Sequence, residues 1–240
     1  MTLAEAVRRD PVRHELKLCC SASSLPRIRM ALSLHPLAPR RLFPPRRVQS
    51  VYLDTLAGRA VEENLAGVSH REKVRLRWYG HETRGVRATL ERKVRENTLG
   101  WKELAPLGTP IDVGGVSRRA FLRKLRAALP DAVRIGLEPD LEPVQWIRYE
   151  REYLATAGRR VRITLDRDLE AFDQRGRARL IDRAPTVIPR ILVVELKCAP
   201  EDLDEARAIA NALPVPVDRS SKFVLASRPW LGAGASLVED

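Results

Sequence analysis

Residues His70 to Gly80 constrain the fold more than any other stretch of the chain. Lys73, Arg75 and Arg77 alternate there with Val74, Leu76 and Trp78. Successive side chains of a strand point to opposite faces. Three cations therefore share one face and three apolar groups the other. An ordinary half-buried strand would turn the apolar face to a core and the cations to water. A row of cations turned into an enclosed space would instead receive a polyanion.

The same theme recurs on other strand-like stretches, at Lys17, Lys93, Arg151, Arg160 with Arg162, and Lys197. Repetition weakens the reading of a solvated face. Lys197 ends the most apolar strand, Arg190 to Cys198, where an unpaired charge would be expensive. The 36 Arg and 7 Lys of the 240 residues sharpen the point. Arg serves wherever a surface cation suffices, so the few lysines mark positions that call for a compact charge. Glu15, Glu91 and Glu195 each precede such a lysine by two residues.

The pattern along the chain gives roughly eight strands, mostly hairpin-linked, and three or four helices. Strands are expected over 11–20, 46–54, 69–79, 86–95, 143–156, 159–167, 175–182 and 190–198. Helices are expected over 23–34, 55–66, 118–129 and from Pro200 to about Ala212. Residues 36–47 and 97–110 read as irregular. The fold class is α+β, a closed eight-stranded antiparallel β tunnel with flanking helices. A single domain is expected over 1–230, with a flexible tail over 231–240.

A net charge of +12 calls for an acidic partner. Nucleic acid fits on charge alone. The aromatic content is only 5%, no nucleic-acid-binding motif is present, and the cations lie beside glutamates that would repel a phosphodiester backbone. No apolar run approaches the roughly 18 residues of a membrane span, and the N-terminus has no signal-peptide pattern. Cys19, Cys20 and Cys198 have no metal-ligand spacing and read as packing residues, so a cytoplasmic location is expected. The four histidines show no triad-like placement.

These residues carry a resemblance. Glu15-Leu16-Lys17, Arg75-Leu76-Arg77, Glu91-Arg92-Lys93, Tyr149-Glu150-Arg151, Arg162-Ile163-Thr164-Leu165-Asp166, Glu195-Leu196-Lys197 and Ser221-Lys222-Phe223, in this order, are similar to the VTC (vacuolar transporter chaperone) catalytic domain. That family lies among the triphosphate tunnel metalloenzymes. The resemblance implies a polyphosphate polymerase-like enzyme that transfers the γ-phosphate of ATP to a polyphosphate chain, with Mn²⁺ or Mg²⁺. It implies catalytic roles for Arg75, Arg77, Lys93, Arg151, Arg162 and Lys197. Lys17, Lys73, Lys102, Arg219 and Lys222 would bind substrate, and Glu195 and Glu15 would hold the metal. Arg13 stands where many tunnel enzymes have a first glutamate, which implies a single metal. The alternatives are an inorganic triphosphatase or polyphosphatase, and a noncatalytic polyphosphate-binding module. ATP and polyphosphate are the implied partners, with a separate membrane partner for the polymer as a further option.

Overall fold

The computed structural model describes residues 8–9, 13–97, 99–215 and 222–227. Arg219, Ser221 and the tail over 231–240 lie outside the described residues. The described chain forms one antiparallel sheet. Its strands are β1 (Arg8–Arg9), β2 (His14–Ser21), β3 (Arg40–Asp54), β4 (His70–Tyr79), β5 (Thr89–Glu96), β6 (Leu99–Pro106), β7 (Glu142–Ala155), β8 (Val161–Asp173) and β9 (Ile191–Cys198). The strand order is β1-β6-β5-β4-β3-β7-β8-β9-β2. The helices are α1 (Leu25–Leu34), α2 (Arg59–Leu65), α3 (Arg118–Ala128), α4 (Asp131–Ile135), α5 (Leu203–Ala212) and α6 (Lys222–Ser227). No described helix is long and apolar enough to cross a membrane.

The sheet curls until its edges nearly meet. Four residues, 10–13, separate β1 on one edge from β2 on the other, a reach of at most about 18 Å. Lys93 of β5 lies 3.5 Å from Glu15 of β2 across the interior, although six steps of the strand order part them. No ladder among the described residues joins β2 to β1 or β6. The wall is therefore a curled sheet with a side-chain seam. This refines the closed eight-stranded tunnel read from the sequence.

The expected alternation places the apolar rows outside, under helices. Val74, Leu76 and Trp78 pack with Leu90, Ala105 and the α3 residues Phe121 and Leu125. Helix α3 begins as its sequence dictates, with the Ser117 hydroxyl accepting from the Ala120 N–H. Leu18, Ile163, Leu165, Val194 and Leu196 pack under Ile28 and Leu32 of α1 and Ile209 of α5. Trp78 meets Trp146 edge-on at 5.5 Å, and Trp146 meets Phe172 the same way, all within the cluster under α3. Gly80, at φ +101°, turns the chain out of β4 in a conformation open to glycine.

Three boundaries differ from the sequence reading. Residues 40–47 are the first half of β3, not a loop. Pro44 and Pro45 fall where the register with β7 shifts between Phe43 and Arg46, and a bulge is where a strand tolerates proline. Residues 99–106 form β6, which pairs with β5 in full register. The weak local pattern there yields to this tertiary pairing. Residues 175–182 form no strand beyond an isolated bridge from Arg179 to Ser117. Strand β8 instead runs on to Asp173. The segment after it is held by the buried Gln174 side chain, which accepts from the Ile181 N–H and donates to the Ile181 carbonyl.

Candidate functional site

Residues opposite one another in an antiparallel pair share a face, so the registers define the inner wall. Lys102, Lys93 and Lys73 are aligned across β6, β5 and β4. Glu91, Arg75 and Tyr52 are aligned across β5, β4 and β3, and Arg77 faces Ser50. On the far wall Arg151 faces Asp166, Thr164 faces Glu195, and Arg162 faces Lys197. Glu195 in turn faces Lys17, and Lys197 faces Glu15. Ten of the eleven cations read from the sequence are thus described, nine of them on this strand wall. The tenth, Lys222, enters from α6. Arg160, counted with them in the sequence pattern, instead precedes β8 and pairs with Glu205 of α5 on the outside.

The inner wall divides into two clusters. The first is a buried bed of Arg75, Arg77, Arg151 and Lys222. Side-chain exposure there is 8% for Arg77, 9% for Arg151 and 10% for Lys222. Arg151 grips Asp166 with two bonds of 2.5 and 2.6 Å. Lys222 lies 2.6 Å from Asp166 and 2.9 Å from Glu195. Arg75 donates to Glu91 at 2.7 Å and to the Tyr52 hydroxyl at 2.9 Å. Arg77 donates to the Tyr149 hydroxyl at 3.3 Å. Phe223 stacks on Tyr52 at 4.5 Å and fixes α6 in place.

The second cluster holds lysines around Glu15. Lys17 lies 3.0 Å and Lys93 3.5 Å from that carboxylate. It is more open, with side-chain exposure of 33% for Lys197 and 53% for Lys93. Lys102 lies between the clusters and reaches Glu91 at 2.9 Å.

Electrostatics follow from this crowding. Burial alone would raise the Glu15 carboxyl, but Lys197, Lys17 and Lys93 outweigh it and hold it at about 2. Burial likewise opposes ionisation of Glu195, yet Lys222, Lys197 and Arg151 keep it well below the usual carboxylate range. Asp166 is held low against its burial by Arg151 and Lys222. Burial, and then Lys17, Lys93, Arg71 and Arg75, push the Lys73 ammonium down to about 7. Burial brings Lys102 to about 8 despite the pull of Glu91. The wall is charged, paired and still in cationic surplus, with ten cations against Glu15, Glu91, Asp166 and Glu195.

Asp166, Tyr52 and Tyr149 complete the site beyond the residues read as candidates. Asp166 was within reach of a pattern argument, since it shares a strand face with Arg162 and Thr164. The tyrosines signal nothing as sequence, because strands favour Tyr for packing alone. No group of three or more His, Cys, Asp or Glu placed to hold a metal occurs among the described residues. Glu15 and Glu195, diagonal neighbours on β2 and β9, offer one or two hard oxygen donors. That set fits a hard divalent ion that takes its remaining ligands from phosphate oxygens and water.

The family model for the VTC domain matches residues 12–230. The chain belongs to the VTC-domain family. The match spans every cation of the wall and all strands from β2 to β9. No curated protein matches the chain. Two solved structures resemble it in part. One is a Hippeastrum protein assigned as an adenylyl cyclase and found to have a dominant triphosphatase activity, with 16% identity, 90% of this chain and 95% of that chain covered, and a TM-score of 0.49. The other belongs to the Schizosaccharomyces pombe Mediator head module, with 11% identity, 86% and 90% coverage, and a TM-score of 0.39. VTC membership supports a polyphosphate- or triphosphate-related activity for the chain.

Proposed function

We propose that this VTC domain is a polyphosphate polymerase-like phosphotransferase. It passes the γ-phosphate of ATP to the end of a polyphosphate chain. The observation that carries this reading is the division of one cationic wall into two clusters. The buried bed of Arg75, Arg77, Arg151 and Lys222 suits a donor triphosphate held in fixed register, because guanidinium groups bind phosphate oxygens bidentately. The more open cluster of Lys17, Lys93 and Lys197, with the more buried Lys73 beside it, suits a flexible polyanion, because ammonium groups act as point charges without fixed geometry. Arg162, opposite Lys197, and Lys102 extend that cluster. Arg219 belongs to the same proposal by sequence position.

In this scheme an oxygen of the acceptor's terminal phosphate attacks the γ-phosphorus. The bond from that phosphorus to the bridging β–γ oxygen breaks, and ADP leaves with its electron pair. Such transfers depend on positioning and charge neutralisation. The attacking oxygen is already anionic at neutral pH, so no protein base is needed. The histidines agree: His35 accepts from the Leu37 N–H, and His70 lies beside Glu72 on the outer surface. Glu195 and Glu15 would hold Mn²⁺ or Mg²⁺ against the phosphates, and the ion would neutralise charge on the transferring group. The arginine bed aligns the donor, and the lysines draw the acceptor toward it. The location proposed is cytoplasmic, with a separate membrane partner as the route for exported polymer.

The test is purified protein incubated with ATP and Mn²⁺ while polyphosphate and free phosphate are followed. Polymer is the expected product. Free phosphate without polymer would replace this reading with hydrolysis, and binding without turnover would leave a noncatalytic module.

The lysine cluster also sets a pH dependence. Lys73 falls from an ordinary value of about 10.4 to about 7 in the folded protein. Its charged form therefore costs stability, and folding gains as pH rises from about 7 toward about 10. A bound polyanion favours the charged form, so binding has the opposite slope. Polyphosphate affinity is expected to fall as pH rises from about 7 to about 9, with proton uptake on binding near pH 8. Calorimetry in buffers of different ionisation enthalpy measures that uptake, and an absence of uptake would contradict it.

A further inference from the structure

Glu91 is the carboxylate that stands on the arginine wall apart from the others. Asp166 and Glu195 share Arg151 and Lys222, and Glu15 sits among lysines. Glu91 faces Arg75 directly across the β4–β5 ladder. One of its oxygens accepts from Arg75 Nε at 2.7 Å and lies 2.6 Å from Arg75 Nη2 and 3.6 Å from Arg77 Nη1. The other lies 2.9 Å from Lys102 Nζ. The residue is 6% exposed, so water does little to screen these contacts. Two anionic oxygens thus already occupy the position where three convergent cations would hold a phosphate.

We propose that Glu91 sets the chain-length selectivity of the site by acting as a built-in competitor for the anion position among Arg75, Arg77 and Lys102. This rests on the polyphosphate reading above and assigns it a selectivity-determining residue. A single phosphate entering the bed must share these three cations with Glu91 and meets its repulsion at close range. A long chain can instead bind through the more open lysines, Lys17, Lys93 and Lys197, and leave this position to Glu91, so it escapes the repulsion that an anion confined to the bed must meet. Its added contacts are intramolecular after the first, so they accumulate as avidity. The competitor therefore suppresses short anions far more than long ones, a case of specificity by a repulsive element.

The experiment is calorimetric titration of the whole chain and its Glu91→Gln and Glu91→Asp variants with orthophosphate, tripolyphosphate and long-chain polyphosphate. Glu91→Gln keeps shape and removes charge. Orthophosphate and tripolyphosphate are expected to bind it at least tenfold tighter, with long-chain affinity changed less than threefold. Glu91→Asp keeps the charge and is expected to retain the parent's selectivity. Weaker binding of every anion to Glu91→Gln would show that Glu91 merely positions Arg75 and would overturn the proposal. So would loss of selectivity in Glu91→Asp, which stands as the deciding variant if Glu91→Gln does not fold. A parent protein that binds no long-chain polyphosphate would overturn the functional reading itself. A parent that binds it, with an unchanged ratio in Glu91→Gln, would overturn the selectivity role alone.

Discussion

Arg151→Ala is expected to lower folding stability by about 3–5 kcal/mol, the cost of removing one partner from a buried ion pair. Asp166 is 2% exposed and Glu195 6%. Arg151 supplies both short bonds to Asp166 and lies 3.5 Å from Glu195. Without it Asp166 would keep only Lys222, which must also serve Glu195 beside the half-buried Lys197. Both carboxyls are held below their usual range, so their contribution is present above the ordinary carboxylate pKa and fades as pH falls. The difference between parent and variant is therefore expected to be largest near neutral pH and to shrink on acidification. Urea unfolding at several pH values measures it. A difference under about 1 kcal/mol at neutral pH would mean that the buried pair is not as tight as its geometry. Arg151→Lys is expected to recover little, since an ammonium cannot reproduce the paired bonds.

Arg75→Ala is expected to weaken triphosphate binding by about a hundredfold while leaving unfolding cooperative. Each charge-assisted hydrogen bond lost is worth about 1.5–3 kcal/mol. The fold survives because Glu91 keeps Lys102 at 2.9 Å and Arg77 at 3.6 Å. Lys197→Ala tests the other cluster. Its loss is expected to fall mainly on long-chain polyphosphate and less on triphosphate, because Lys197 is a third exposed and faces Glu15 across the β2–β9 ladder, touching the arginine bed only through Glu195 at 3.4 Å. Calorimetry with both ligands separates the two effects. Normal triphosphate binding by Arg75→Ala would show that the row does not contact ligand.

Alternation made the inner wall legible in the sequence. A period of two fixes which residues share a face, so Lys73, Arg75 and Arg77 group together from the sequence alone. The same logic reached Arg162 with Asp166. Strand continuity was harder. Proline at 44 and 45 argues locally against a strand, and only the bulged register with β7 shows how β3 accommodates both. Strand β6 carries Gly100 and Pro106 and little alternation, so its pairing with β5 is invisible in local pattern. The division into two clusters was equally hidden. It depends on how far the sheet curls and on where α6 places Lys222 and Phe223, and neither is a property of any single strand.

The seam between the sheet edges gives the wall an unusual joint. Elsewhere neighbouring strands are tied by backbone bonds that no ligand can replace. Between the edges, Glu15 of β2 reaches across the interior to Lys93 of β5, one strand in from β6, through side chains alone, and a phosphate group is chemically able to take the carboxylate's place. The polymer would then serve as mortar as well as cargo, closing the wall around itself wherever it displaces Glu15. On that reading the rigidity of the tunnel would be a property of the loaded state, and high salt, which screens exposed charges, would loosen the empty protein first at this contact.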